Sequence, residues 1–242
     1  MATVHYGCTA LLGTNKAGVL KPDAQGRYDM VLGALEYPNS VGDIYTLKSA
    51  QEFFKPGSSL MRRVGKGQLR SEYGHPKKLP GQSENEYLTR ILTIEETLVC
   101  AHISDIYIDF DGVRDPETGN KIIAIRGKVK PSGPYGSVLK EMLDDPNQNV
   151  AFSIRSLTLN RQVGYRQHKD FTQIVTWDYV NEPGLAPANK YAVPTLESHS
   201  LDLETIEALA KNEQNLISTE SATLLSELLQ HLKPAYTARA KW

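Results

Sequence analysis

The apolar run from Asn149 to Leu159 constrains this chain more than any other stretch. Val150, Phe152, Ile154, Leu157 and Leu159 favour strands, and Asn147, Gln148 and Asn149 mark a turn before them, so the segment reads as a buried strand. Inside it lie Ser153, Arg155 and Ser156. A hydroxyl or a guanidinium in such a strand costs free energy unless another group satisfies or uses it. Taken alone, a buried strand serine is most simply a satisfied structural hydroxyl. Its meaning depends on what the rest of the chain brings to it.

Strand patterns recur on both sides. Tyr28, Met30 and Leu32 fall at period two and predict a strand reaching about Tyr37. Leu88 to Leu92 reads as a short strand, and Thr97 to Phe110 as a long one in which Ile106, Ile108 and Phe110 alternate with Tyr107 and Asp109. The turn Asp115-Pro116-Glu117-Thr118-Gly119-Asn120 then predicts a hairpin returning through Lys121 to Lys130. Phe171 to Val180 is a further strand, closed by Asn181-Glu182-Pro183-Gly184.

Helical signals are fewer. Ser49 to Phe54 allows a turn or more, and Pro134 opens a helix over Tyr135–Asp145 with Val138, Leu139 and Met142 on one face. Two helices follow a Pro-rich connector at 183–199, over about Leu201–Lys211 and Ser218–Leu232. Residues 1–26 read as an irregular arm or a loosely held first strand, and 63–87 as a long polar loop of the functional or mobile kind. Strands do not alternate with helices, which argues against a doubly wound parallel sheet. The expected organisation is a β-rich body over 1–190 and a C-terminal helical extension over 191–242, a candidate for processing.

Composition narrows the function classes. A formal net charge of -1 over 242 residues gives no electrostatic reason to expect nucleic acid or an anionic membrane as partner. Cys8 and Cys100 are too few for a disulfide scaffold and lack metal-ligand spacing. No apolar run approaches the roughly 18–20 residues of a membrane span, and no basic segment leads into an apolar core at the N-terminus. A soluble, cytoplasmic protein of a reducing compartment is the expectation. The glycines near Lys66 form neither GxxxxGK[ST] nor GxGxxG, and His5, His75, His102, His168, His199 and His231 form no HExxH, so neither a cofactor nor a metal is expected.

Nucleophilic catalysis remains. A serine hydroxyl needs a base to take its proton, and that base needs a third group to fix its tautomer. Three residues far apart in sequence can supply the set, so spacing alone does not identify it. A family resemblance is needed, and four segments carry one: Glu72-Tyr73-Gly74-His75-Pro76, Gly133-Pro134-Tyr135-Gly136, Ala151-Phe152-Ser153-Ile154-Arg155-Ser156 and Trp177-Asp178-Tyr179-Val180-Asn181-Glu182-Pro183. Together they resemble the prohead core proteases of tailed phages, a family similar in turn to the herpesvirus assemblins.

The resemblance covers about residues 70–185 and implies an α+β fold, a mostly antiparallel β-barrel or curved sheet flanked by helices. It implies a serine endopeptidase with Ser153 as nucleophile, His75 as general base and Asp178 as the orienting carboxylate. Assemblins use a second histidine as third member, so the aspartate departs from their pattern, and His168 stands as the rival with Asp105 and His102 behind it. Ser156 is the rival nucleophile. Arg155 would share Ser153's face and support the oxyanion region, or else be a buried ion-pair partner of a carboxylate. The implied substrates are scaffold, core and capsid proteins, cut after glutamate in small-x-Glu motifs inside the procapsid by a homo-oligomer. Ala34-Leu35-Glu36, Thr195-Leu196-Glu197 and Ser218-Thr219-Glu220 are such motifs in the chain itself, and they suggest autocleavage. Two other classes stay open: a non-catalytic capsid or tail β-barrel protein, and a scaffold-binding module using its C-terminal helices.

Overall fold

The computed structural model describes residues 3–7, 10–13, 20–39, 41–115, 118–145, 147–181 and 199–202. Two sheets form the body. The first has the order β10(His199–Asp202), β1(Thr3–Gly7), β8(Val150–Val163), β9(Arg166–Val180), β4(Ile44–Tyr45), with β2(Ala10–Gly13) also paired to β8. The second runs β3(Tyr28–Leu35), β7(Lys121–Pro131), β6(Val99–Arg114), β5(Arg70–Glu72). Among the described residues, every pairing between named strands is antiparallel except β4 with β9. This is the expected mostly antiparallel α+β architecture, a curled half-barrel with helices added.

The two sheets meet at β5. That strand pairs with β6, yet the Ser71 hydroxyl donates to the Trp177 carbonyl at 2.5 Å, and Tyr73 forms a parallel bridge to Tyr179 on β9. Between the sheets lies the core, with Tyr28, Met30, Leu32, Ile103, Ile106, Ile125, Phe152, Ile154, Ile174 and Trp177 all buried. Gly33 packs beside the largest of these: a Cβ there would meet the Trp177 indole nitrogen at 3.7 Å, an ordinary contact.

Helices close the remaining faces. α1(Leu47–Phe53) and α2(Ser59–Gly65) bring Phe53 and Leu60 to the core, and α4(Gly136–Asp144) brings Leu139, Met142 and Leu143. Leu88 to Leu92 is not a strand but the second half of α3(Glu84–Leu92). Its signal lies upstream, where Ser83 and Glu86 form a capping box, and Tyr87, Leu88, Ile91 and Leu92 recur at helical spacing. The polar stretch 63–87 likewise holds the end of α2, β5 and the start of α3. β1 and β2 give the N-terminal arm two strands. The helices expected at Leu201–Lys211 and Ser218–Leu232 fall outside the described residues, apart from Leu201 and Asp202 at the end of β10.

Register is what matters for function. At the tip of the β8–β9 hairpin Val163 pairs with Arg166, and an unbroken ladder from there would set Thr176 opposite Ser153. Two irregularities intervene, between Leu157 and Thr158 and between Arg155 and Ser156, and each adds one residue on β9. Thr172 and Val175 are those extra residues. The result is that Ser153 lies directly opposite Asp178.

Candidate active site

β8 and β9 supply Ser153 and Asp178 as a cross-strand pair, which places their Cα atoms about 4.5–5.5 Å apart. Both are buried. His75 comes from the segment after β5. The Gly74 amide donates to the Tyr179 carbonyl at 2.9 Å, which anchors this segment to β9. Gly74 has φ +91°, a conformation that glycine takes without strain, and it turns the chain so that the next side chain reaches back. There His75 Nδ1 lies 2.9 Å from Asp178 Oδ2. Tyr73, the residue before, is stacked between Tyr135 and Tyr179 at centroid distances of 4.9 and 4.8 Å. On the far side the Tyr87 hydroxyl of α3 donates to the Pro76 carbonyl at 3.3 Å.

Asp178 is saturated with donors. Its Oδ2 accepts from His75 Nδ1 and from Arg155 Nε at 2.8 Å, and its Oδ1 accepts from Arg155 Nη2 at 2.8 Å and from the Glu72 amide at 3.0 Å. Burial would push its pKa up, but the Arg155 charge and the hydrogen bonds from His75 and Arg155 outweigh it and hold the pKa down at about 2. The carboxylate is therefore ionised at neutral pH. An ionised carboxylate only accepts, so His75 Nδ1 carries the proton in this pair, and Nε2 is the basic nitrogen of the neutral ring.

Arg155 is fully buried, and its guanidinium is turned to protein partners at every nitrogen. Besides Asp178 it meets Glu72 Oε1 at 3.1 Å and donates through Nη1 to the carbonyls of Thr93 and Ile91. This arrangement is the buried ion pair with carboxylates. Behind it stand two residues that the motifs did not single out for a role. Glu72, also fully buried, takes a two-pronged pair from Arg90 at 3.0 and 2.5 Å. Glu72 sits beside the Gly-His-Pro segment, and a glutamate in that position was the available signal. Arg90 lay in a segment read as strand, which hid it.

The rivals are placed elsewhere. His168 pairs with Arg161 and Ile44, ten residues before Asp178 and so about 33 Å along β9. His102 lies on β6 between Arg70 and Lys130, with Asp105 three residues on along the same strand. Ser156 is opposite Ile174, four residues from Asp178 and so about 13 Å along β9. Its position on β8 is odd-numbered from Ser153, which turns it to the other face of the strand.

Comparison with known proteins agrees with this architecture. The structure of the bacteriophage T4 capsid assembly protease matches with a TM-score of 0.50 at 11% identity, over 73% of this chain and 97% of that one. The curled, mostly antiparallel body with its added helices is thus the fold of a phage capsid protease. Residues 6–232 match the Peptidase S80 family, and the capsid maturation protease of Pseudomonas phage phiKZ is 42% identical over 207 residues, 84% of this chain and 75% of that protein. The chain belongs to the Peptidase S80 family.

Proposed function

We propose that this peptidase is a serine endopeptidase of phage head maturation, with Ser153 as nucleophile, His75 as general base and Asp178 as the residue that orients it. The observation that carries this reading is the register: Ser153 stands opposite the carboxylate that holds His75 Nδ1. His75 Nε2 takes the Ser153 proton as Oγ attacks the scissile carbonyl, and then returns it to the leaving amine. Water, activated by the same nitrogen, releases the acyl group. Arg155 keeps Asp178 ionised and in place. The oxyanion falls to backbone amides.

The substrates are scaffold, core and capsid proteins inside the procapsid, cleaved after glutamate in small-x-Glu motifs. The enzyme acts as a homo-oligomer and processes itself. Of its own motifs, Ala34-Leu35-Glu36 is guarded: Ala34 and Leu35 are buried in β3, and Glu36 accepts the Leu47 amide at 2.7 Å. Thr195-Leu196-Glu197 and Ser218-Thr219-Glu220, in the C-terminal extension, lie outside the described residues and are the proposed sites.

A panel of small-x-Glu peptides incubated with wild type and with Ser153→Ala tests this reading. Cleavage after glutamate by wild type alone is expected. Equal cleavage by both would remove Ser153 from the role, and no cleavage by concentrated, oligomeric wild type would remove the activity.

A further inference from the structure

The ion pair behind His75 does not stop at Arg155. We propose that Glu72 and Arg90 are positioning residues of the site, the outer half of a chain Arg90–Glu72–Arg155–Asp178 that sets the orientation and the proton affinity of His75. This rests on the reading of His75 as the base.

Asp178 and Arg155 already cancel each other's charge through two hydrogen bonds, so a second buried pair is not needed for local neutrality. Replacing buried ion pairs by apolar residues is often neutral or stabilising, so stability alone gives this pair little reason to exist. What Glu72 adds is geometry. Its carboxylate contacts Arg155 Nη2, accepts the Glu95 amide at 2.7 Å and is gripped by both terminal nitrogens of Arg90. Its own amide donates to Asp178 Oδ1 at 3.0 Å. One residue therefore holds Asp178 directly through its backbone and indirectly through Arg155. Arg90 belongs to α3, the helix whose Tyr87 also holds the carbonyl next to His75. The same helix thus braces the His75 loop and the far end of the charge chain.

Two effects follow, and they separate. The fork of Arg90 fixes the Glu72 plane, a matter of orientation. The charges act at a distance, and Glu72 favours imidazolium while Arg90 disfavours it. The charged or titratable groups around His75 are Asp178 and Tyr179 on β9, Arg155 on β8, Glu72 on β5, Tyr87 and Arg90 on α3, Cys100 on β6, and Tyr73, Lys77 and Lys78 on its own segment. Lys78 is paired with Glu84, and burial pushes the Cys100 thiol up, which keeps it neutral.

The test uses the full chain, with active sites titrated by a fluorophosphonate so that any misfolded fraction drops out. Arg90→Gln raises the acid-limb midpoint of kcat/KM by about half a pH unit or more, and Glu72→Gln lowers it. Arg90→Lys keeps the charge and loses the fork. It leaves the midpoint in place and lowers kcat per active site about tenfold with little change in KM. NMR titration of the labelled His75 ring in a Ser153→Ala background reads the same opposite shifts without catalysis. Because Arg90 is the partly exposed member, at 24%, its variants keep the test available even where Glu72→Gln fails to fold. An active wild type whose variants share its pH profile and kcat per active site would overturn the inference alone. A wild type that neither cleaves nor titrates would overturn the proposed function, and the inference with it.

Discussion

Asp178 accepts four hydrogen bonds, which fills both carboxylate oxygens, and this dictates how it responds to change. An amide in its place presents a donor to donors. Asp178→Asn is expected to lower kcat about 10³–10⁴-fold through loss of the His75 tautomer, measured with the peptide assay. It also leaves the buried Arg155 charge under-compensated, at a cost of about 3–5 kcal/mol in urea unfolding. The pH dependence has a definite sign. The folded pKa of about 2 lies below the ordinary aspartate value of 3.8, so Asp178's contribution to stability is complete above about pH 4 and is lost as pH falls toward 2. Urea midpoints measured across that window should fall steeply, and a flat profile would count against an ionised Asp178. At this scale the sequence was informative: Ser153, His75 and Asp178 stand in motifs whose order carried the resemblance. Arg155 left two roles open because a strand pattern says which face a side chain takes, not which partners it meets.

Elements place these residues through details that are short in sequence. Gly133, with φ +80°, precedes α4, and a Cβ there would lie 2.6 Å from Val99 Cγ1 and 2.8 Å from the Val99 carbonyl oxygen. That carbonyl accepts the Tyr135 amide, which fixes the start of α4 and the ring stacked on Tyr73. Gly133→Ala is expected to destabilise by about 3 kcal/mol in thermal or urea unfolding, from strain plus a clash with backbone. On α3, Ser83→Ala removes the hydroxyl that accepts the Glu86 amide and donates to the Glu86 carboxylate, keeps the backbone half of the capping box, and should cost about 1 kcal/mol. The long strands β6 to β9 were readable because their apolar residues alternate or run together. The helix α3 resembles a strand in the sequence because five apolar-rich residues, Leu88 to Leu92, stand out more than the capping box before them. The two extra β9 residues were not readable at all. Thr172 and Val175 look like any other strand residues, yet removing one would slip Asp178 by a residue and turn it to the other face.

At the scale of the whole molecule, the three-residue strand β5 joins the two sheets and delivers the chain through Glu72 into the segment that holds His75. No periodicity reveals a strand so short, so the junction that assembles the site was legible only as a polar loop. The architecture was legible because antiparallel hairpins are local and the absence of strand–helix alternation excludes the main competitor. The fold also sets limits on self-processing. With Ala34 and Leu35 paired to β7 and buried, a self-digest should leave no new N-terminus at Tyr37, and new ends should map to Glu197 or Glu220. Terminal sequencing of the products checks this, and a cut after Glu36 in folded protein would contradict the protection that β3 provides.

The central claim is that Ser153 is the activated nucleophile of a Ser153–His75–Asp178 set. Labelling wild type with a fluorophosphonate and mapping the adduct by peptide mass spectrometry tests it most directly. The adduct is predicted on Ser153, and it should vanish in His75→Ala and Asp178→Asn while both proteins remain folded. An adduct on Ser156, or labelling of Ser153 that persists without His75, would contradict the account.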